Sequence, residues 1–461
     1  MHGITDVIAA VSTPPGKGGV AIIRISGEGA FDVVKKSFRP ANGDFDSLKP
    51  RYAKYGYVYD GEEIVDDVIL TLFPAPNSYT GEDTAEISCH GGVLVTQTVL
   101  EVLLTNGARA ATAGEFTKRA FLNGKLSLTE AEAIGSLLEA ESKAQISLSS
   151  TTARTRLGAR LASVREALVT TLSSVFARID YPDEDLGDFD DRELLERLYN
   201  IKEDVTSLLS TYKTGRAISD GISCAIVGKP NVGKSTVYNL LVGEEAAIVT
   251  DVPGTTRDVL TSGVSLGKVM LRLADTAGIR TKNVDLVESI GIEKSEKMIA
   301  KCELLFAIFD ISRPFDEEDA MLLDKIKNTK CVKIAILNKA DAPSRFDESA
   351  IDGAFELILK GSAKQNDKLI EKLTAAVESL FLDDRIKPGE SAIISTARQN
   401  AALKRTTELL NIAIVNLEAG FAQDAVAGDL ERALSAVSEL DGRAVNEEVV
   451  ADIFAKFCVG K

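Results

Sequence analysis

The sequence predicts a multidomain protein of α/β plus all-α class. An N-terminal α/β domain precedes a helical domain that is interrupted by a second α/β domain carrying a phosphate-binding loop. Three observations predict this. Gly228–Ser235 matches GxxxxGK[ST] directly after an apolar strand. Residues 217–382 alternate short apolar runs with helical stretches, the signature of βαβ units. Residues on either side of that block carry helical periodicity instead. A length of 461 residues agrees with about three domains at roughly 150 residues each.

Apolar residues make up 45% and charged residues 26%, which excludes a disordered or collagen-like chain. No apolar run approaches the ~20 residues that span a bilayer. Met1–Val11 has no basic segment and carries Asp6, a poor signal peptide, so the expected location is cytoplasmic. The net charge of −16 argues against nucleic acid held on a broad basic surface alone. The five cysteines (Cys89, Cys224, Cys302, Cys331, Cys458) are scattered, with no CxxC, so neither a zinc site nor a disulfide framework is indicated. With only His2 and His90 present, a metal site built on several histidines is excluded.

Residues 1–125 read as mixed α and β, with strands over Val20–Ile25, Ile64–Leu72 and Ala85–Ser88. A helix over Val93–Leu104 ends at Asn106-Gly107. The loops Thr13–Gly19 and Pro74–Gly81 are long and rich in Gly and Pro, a common setting for function. Ser127-Leu128-Thr129-Glu130 has the form of a capping box and opens a helical region, residues 126–216. Within it residues 130–178 lack proline, and an acidic loop covers 180–185. Leu194, Leu198, Ile201, Val205 and Leu208 mark one helical face. In the inserted domain, strands are expected at Ile222–Val227, Met270–Leu273, Leu304–Phe309, Lys333–Leu337 and Glu356–Leu359. Residues 383–461 return to helix, with Leu403, Leu410, Ile414, Leu417 and Phe421 on one stripe.

The loop Gly228-Lys229-Pro230-Asn231-Val232-Gly233-Lys234-Ser235, with Thr236 following, places backbone N–H groups where phosphates can be cradled. Lys234 suits the β- and γ-phosphate oxygens, and Ser235 Oγ suits Mg²⁺. Asp275-Thr276-Ala277-Gly278 follows the strand ending at Leu273; the Asp holds the magnesium shell and the Gly N–H faces the γ-phosphate. Asn338-Lys339-Ala340-Asp341 follows the strand ending at Leu337. The Asp341 carboxylate can accept both N–H groups of the guanine edge, which adenine lacks. Ser362-Ala363-Lys364 presents backbone N–H groups for guanine O6. All four motifs lie at strand C-terminal ends, where such sheets bind ligands. Together they resemble the G1, G3, G4 and G5 elements of Ras-like, translation-factor-type GTPases, and imply GTP rather than ATP.

In Ras-like sites a Gln after DTAG orients the attacking water. Ile279 stands there, so something else must position water and neutralise charge. Thr250-Asp251-Val252-Pro253-Gly254-Thr255-Thr256-Arg257-Asp258 is the candidate, with Thr256 suited to ligate Mg²⁺. This segment and Asn231 resemble the potassium-dependent GTPases. By that resemblance Asn231, Thr250, Val252 (through its carbonyl) and Thr255 ligate K⁺; the plainer alternative is that Asn231 only braces the loop. Pro253 stands where an Ala-like residue is expected and removes one N–H. The same wording occurs in the EngA (Der) GTPases.

Four further segments coincide: Thr13–Val20 with Ile23–Gly27; Pro76–Asp83 with His90-Gly91-Gly92; Gly114–Lys125; and the terminal Phe457-Cys458-Val459-Gly460-Lys461. With a GTPase domain inserted in a helical one, the whole chain closely resembles the tRNA-modification GTPase family called MnmE or TrmE, of the TrmE-Era-EngA superfamily. That resemblance implies a homodimer and a heterotetramer with the flavoprotein MnmG (GidA), which carries FAD. It implies addition of an aminomethyl or carboxymethylaminomethyl group to C5 of wobble uridine (U34) in certain tRNAs, with the one-carbon unit from 5-formyltetrahydrofolate or another tetrahydrofolate. It also implies potassium-stimulated GTP hydrolysis and no membrane association. Residues 1–125 would bind folate and dimerise.

The family's folate-contacting positions fall on Arg24, Glu82, Lys125 and Lys461. A carboxylate suits the donor edge of a pterin, and cations suit the folate tail. By residue type alone Arg24 reads as a surface residue, Glu82 as a polar loop and Lys125 as a turn. Glu288 matches the family's switch-II acid that acts on the attacking water through a second water, with Arg280 ordering the loop. Cys458 matches the terminal CxGK cysteine of a modification role, or is a small packed residue. His90 reads as a structural histidine. The runner-up is a ribosome-assembly GTPase of the Era/EngA type, which usually adds an RNA-binding module; no basic stripe is present here.

Overall fold

The computed structural model describes residues 6–180, 190–243, 262–273, 301–364 and 367–460. The chain divides into two units: Met1–Leu138 with Leu161–Asp191 and Ile412–Lys461, and Glu139–Arg160 with Arg192–Asn411.

In the first unit, seven strands form one sheet: β1 (Ile8–Val11), β2 (Val20–Ser26), β3 (Phe38–Pro40), β4 (Lys54–Asp60), β5 (Glu63–Phe73), β6 (Thr84–His90) and β7 (Arg109–Ala110). Their order is β3-β4-β5-β6-β2-β1-β7. All pairs are antiparallel except β1 with β7. Alternation along β2 sends Ala21, Ile23 and Ile25 into the core, where they join Val33 and Val34 of the helix Ala30–Ser37 and Val99, Val102 and Leu103 of the helix Val93–Thr105. Arg24, between Ile23 and Ile25, belongs to the opposite face. Its neighbours in register are Ala10 on β1 and Glu86 on β6. The strands read from sequence are present and run one to three residues longer. The short strands β3 and β7, and the tyrosine-bearing β4, contain no apolar run, whereas β1 is a four-residue apolar run that the expected strands leave out.

The Ser127 capping box forms as expected: the Ser127 N–H donates to Glu130 Oε2 at 2.8 Å, and the Glu130 N–H to Ser127 Oγ at 3.2 Å. The proline-free stretch after it is not one helix but three, Leu128–Leu138, Lys143–Leu148 and Thr151–Asp180. A second capping box, Ser142 with Gln145, stops and restarts the chain there. Leu128 and Ala131 pack with Val450, Phe454 and Phe457. The face Leu194–Leu208 is buried as the periodicity requires. The last stripe is corrected at one position. Leu403, Leu410, Ile414 and Leu417 are buried, but the helix Ala397–Glu418 ends before Gly420, and Phe421 is 59% exposed beyond it.

The second unit holds a six-stranded sheet, β8 (Ile222–Gly228), β9 (Ser262–Leu266), β10 (Val269–Leu273), β11 (Leu304–Asp310), β12 (Val332–Asn338) and β13 (Leu357–Lys360), in the order β13-β12-β11-β8-β10-β9. Only β9–β10 is antiparallel. The central strand β11 is buried along its whole length, which is why it reads as a continuous apolar run. Helices Lys234–Val242, Glu317–Lys327 and Asp367–Phe381 follow β8, β11 and β13. Among the described residues no helix is long and apolar enough to cross a membrane.

Candidate nucleotide site and N-terminal site

The phosphate loop leaves β8 at Gly228 and enters its helix at Lys234. Three residues take positive φ to make the turn: Gly228 at 154°, Asn231 at 65° and Gly233 at 103°. A Cβ on Gly233 would collide with Asn338 Nδ2, so the closeness of the two loops, as well as the φ, requires glycine there. The Lys234 ammonium donates to the carbonyls of Gly228 at 2.8 Å and Lys229 at 2.6 Å. Burial pushes its pKa below the ordinary lysine value. Ser235 is exposed on the first helical turn, Thr236 is half-buried, and Val232 is buried beneath the loop.

Asn338, 3% exposed at the end of β12, ties two loops together. Its Nδ2 donates to the Val232 carbonyl at 2.9 Å, and its Oδ1 accepts the Ala363 N–H at 2.9 Å. Lys339, at φ 63°, donates to the Asn231 carbonyl at 3.0 Å and to Asp310 Oδ2 at 2.6 Å. Asp341 is exposed, and a hydrogen bond from Ser362 holds its carboxyl below the usual carboxylate range. Ala363 is buried and Lys364 exposed on the same loop. The structure thus brings the phosphate loop, the NKxD segment and the SAK segment to one end of the sheet. Thr250, Asp251, Val252, Pro253, Gly254, Thr255, Thr256, Asp275, Thr276, Ala277, Gly278, Arg280 and Glu288 lie outside the described residues. β10 does end at Leu273, two residues before Asp275.

In the first unit a second cluster forms on the sheet face opposite the two helices. Arg24 donates from Nε and Nη2 to Glu86 Oε1 at 3.0 and 2.7 Å. Its guanidinium lies 5.3 Å from the Tyr79 ring and 5.7 Å from the Phe116 ring. At 17% exposure its side chain is not a solvated surface group. Glu82 accepts from Ser26 Oγ at 3.0 Å and from Arg119 Nη1 at 3.2 Å. Arg119 in turn donates to Asp6 Oδ1 at 2.7 Å and Glu115 Oε1 at 3.1 Å. Lys125 Nζ donates to the Pro76 carbonyl at 3.0 Å, and Asn123 Nδ2 to the Thr80 carbonyl at 2.8 Å. The loop bearing Glu82 is therefore held by the segment ending at Lys125.

The other motif segments are tied to one another in the same unit. The Gly18 N–H donates to the Gly91 carbonyl at 3.0 Å, clasping the first loop to the His90-Gly91-Gly92 turn. Val459 bridges to Ala113, and Ser12 Oγ donates to the Gly460 carbonyl at 3.0 Å. Gly460, at φ 95°, lies so close to Val11 that a Cβ would strike the Val11 carbonyl. Cys458 is an exposed free thiol whose carbonyl accepts the Gly114 N–H at 3.4 Å. Lys461 lies outside the described residues. His90 stands apart, paired through Nδ1 with Asp66 Oδ1 at 2.7 Å.

Glu86, Arg119, Tyr79 and Phe116 were missed as individual site residues. Arg119 and Phe116 sit inside Gly114–Lys125, and Tyr79 inside Pro76–Asp83, so the motifs held the signal. Glu86 needed the β2–β6 register, which sequence reading did not supply.

The family described as GTP-binding protein TrmE N-terminus matches residues 7–125, and the MnmE helical domain matches residues 128–458. The tRNA modification GTPase MnmE of Thermotoga sp. (strain RQ2) is 40% identical over 461 residues, covering 99% of this chain and 100% of the relative. Relatives of the same name from Clostridioides difficile (strain 630) and Enterococcus faecalis (strain ATCC 700802 / V583) are both 38% identical over 99% of this chain, covering 100% and 98% of their own lengths. Among solved structures, an Aquifex aeolicus Era variant bound to GDP.AlF4- shares 22% identity over 41% of this chain and 66% of its own, at a TM-score of 0.26, a likeness too slight to carry weight. Identity at this level along both chains, with family matches at both ends of this one, places the sequence plainly: it belongs to the MnmE family of tRNA modification GTPases.

Proposed function

We propose that this chain hydrolyses GTP to drive modification of C5 of the wobble uridine of certain tRNAs, together with a flavoprotein partner (MnmG) that carries FAD. The observation that best supports this reading is that Arg24 and Glu82 meet Phe116 and Arg119 of the segment Gly114–Lys125, whose start is hydrogen-bonded to the C-terminal Cys458. A plain GTPase has no use for such a cluster. A tetrahydrofolate offers it a matching ligand. Glu82 can accept from the pterin donor edge, and Arg24, Lys125 and Lys461 suit the anionic tail. Cys458 would stand beside this site in a modification role. The chain would form a homodimer through its N-terminal domain.

At the nucleotide site the N–H groups of residues 231–236 would meet the phosphates, Lys234 the β–γ oxygens, and Asp341 with the Ser362–Lys364 loop the guanine. Ser235 Oγ, exposed on the first helical turn, fits a magnesium ligand, with Thr256 as its partner and Asp275 in the shell. The exposed Asn231 side chain, carried at φ 65°, fits a potassium ligand, with Thr250, Val252 and Thr255 completing the set. A cation bound there supplies the positive charge that offsets charge spreading over the β–γ oxygens. Glu288 would then orient the attacking water in place of the missing Gln, and Arg280 would order its loop.

The test is mass spectrometry of wobble-uridine nucleosides in tRNA from cells with and without the gene. Loss of the 5-substituted uridine on deletion, and its return with the wild-type gene, is expected. Unchanged nucleosides would overturn the tRNA reading and direct attention to ribosome profiles.

A further inference from the structure

Lys229 occupies the first variable position of GxxxxGK[ST], so the motif asks nothing of its side chain. The structure gives that side chain a definite place. Its ammonium, 14% exposed, donates to Asp316 Oδ2 at 2.6 Å and to Asp319 Oδ2 at 2.8 Å. Those two carboxylates form the capping box of the helix Glu317–Lys327: the Asp319 N–H donates to Asp316 Oδ1 at 3.1 Å and the Asp316 N–H to Asp319 Oδ2 at 3.3 Å. The backbone carbonyl of the same Lys229 accepts Lys234 Nζ at 2.6 Å. One residue therefore links the helix that follows β11 to the lysine that must meet the phosphates.

Two physical effects follow. The first turn of the phosphate loop is anchored from outside the loop, complementing the second anchor, Lys339 on the Asn231 carbonyl. The Lys229 charge also offsets two carboxylates, one of them only 4% exposed, that stand beside a site built for a polyanion. We propose that Lys229 is a positioning residue for GTP and GDP: it fixes the carbonyl that orients Lys234 and screens the nucleotide phosphates from Asp316 and Asp319.

The experiment uses the full chain and a fluorescent GDP analogue, with dissociation followed by chase with unlabelled GDP. Lys229→Met is expected to release nucleotide about tenfold faster at low ionic strength, with the difference shrinking as salt is raised. Lys229→Arg should restore most of the retention. Adding Asp319→Asn to Lys229→Met should slow release again, because it removes one carboxylate left without a counter-charge while keeping an acceptor oxygen for the cap. Thermal midpoints of the three variants separate this from a merely structural role, in which release would change only in step with stability. Release from Lys229→Met within twofold of the parent would overturn the proposal. So would faster release that merely tracks a fall in thermal midpoint, whether or not Asp319→Asn reverses it.

Discussion

Arg119 holds Glu82 across 37 residues of sequence, with Nη1 3.2 Å from Oε2 and the arginine side chain only 1% exposed. The same guanidinium reaches Asp6 and Glu115, so three carboxylates converge on one buried cation. Its Nε, buried as well, makes no hydrogen bond. The cation therefore serves its three acidic partners through the two terminal nitrogens.

Removing that cation leaves the largely buried Glu82 without its arginine and reduces the pairing of Asp6 and Glu115 to Arg109 alone. Arg119→Gln should destabilise the N-terminal domain by about 3–5 kcal/mol. Glu82→Gln, at the more exposed edge of the cluster, should cost well under half as much. Hydrogen exchange of the strand Thr84–His90 under increasing urea measures both; equal effects would refute the hierarchy.

Glu115 makes acid stability depend on the same cluster. Burial alone would raise its pKa, but hydrogen bonds from Arg109, the Thr112 N–H and Arg119 outweigh it and hold the carboxyl at about 2 against an ordinary 4.5. A depressed folded value means that the stabilisation is present above pH 4.5 and lost as pH falls toward about 2. Glu115→Gln should lower stability at neutral pH and flatten this acid limb, as read by urea midpoints across that range.

His90 should titrate above its ordinary 6.5, first because its hydrogen bond with Asp66 favours the imidazolium and then through the charges of Asp66 and Asp67. With only two histidines in the chain, NMR can follow it directly. Asp66→Asn should bring the value back toward 6.5. The sign is opposite to that of Glu115: this ion pair contributes below 6.5 and fades as pH rises through the folded value.

Gly233→Ala should abolish tight nucleotide binding while leaving the N-terminal domain folded. The new methyl meets Asn338 Nδ2 at a position whose φ is 103°. Calorimetric titration with GDP checks this, with circular dichroism as the folding control.

Two outcomes test the proposed hydrolysis machinery. Turnover should be faster in KCl than in NaCl at equal ionic strength, and equal rates would remove the potassium set around Asn231. Glu288→Ala should keep GTP affinity but slow turnover by about 100-fold or more. Wild-type turnover in that variant would exclude Glu288.

The sequence was most legible where one local pattern carries one physical demand. Gly228–Ser235 after an apolar strand announces its own turn, and Asn338–Asp341 follows a strand whose burial makes it read as an apolar run. Local patterns fail where a signal is weak or doubled. Strand β4 alternates tyrosines with small and polar residues. The second capping box at Ser142 splits a stretch that looks uniformly helical. Phe421 keeps the helical period on paper, but the helix has already stopped before Gly420.

By itself, the sequence determined the class of the fold, the place of the phosphate loop, the buried faces of the helices Asp191–Ser210 and Ala397–Glu418, and the motifs that suit guanine, because each rests on residues near one another in the chain. Only the tertiary structure decided that Arg24 pairs with Glu86 across β2–β6, that Arg119 gathers Asp6, Glu82 and Glu115, and that Gly460 closes against Val11. Those pairings depend on strand register and on the packing of remote segments. The energy of a buried charge is set by whatever partner the fold delivers within hydrogen-bond reach, and no local pattern records that partner.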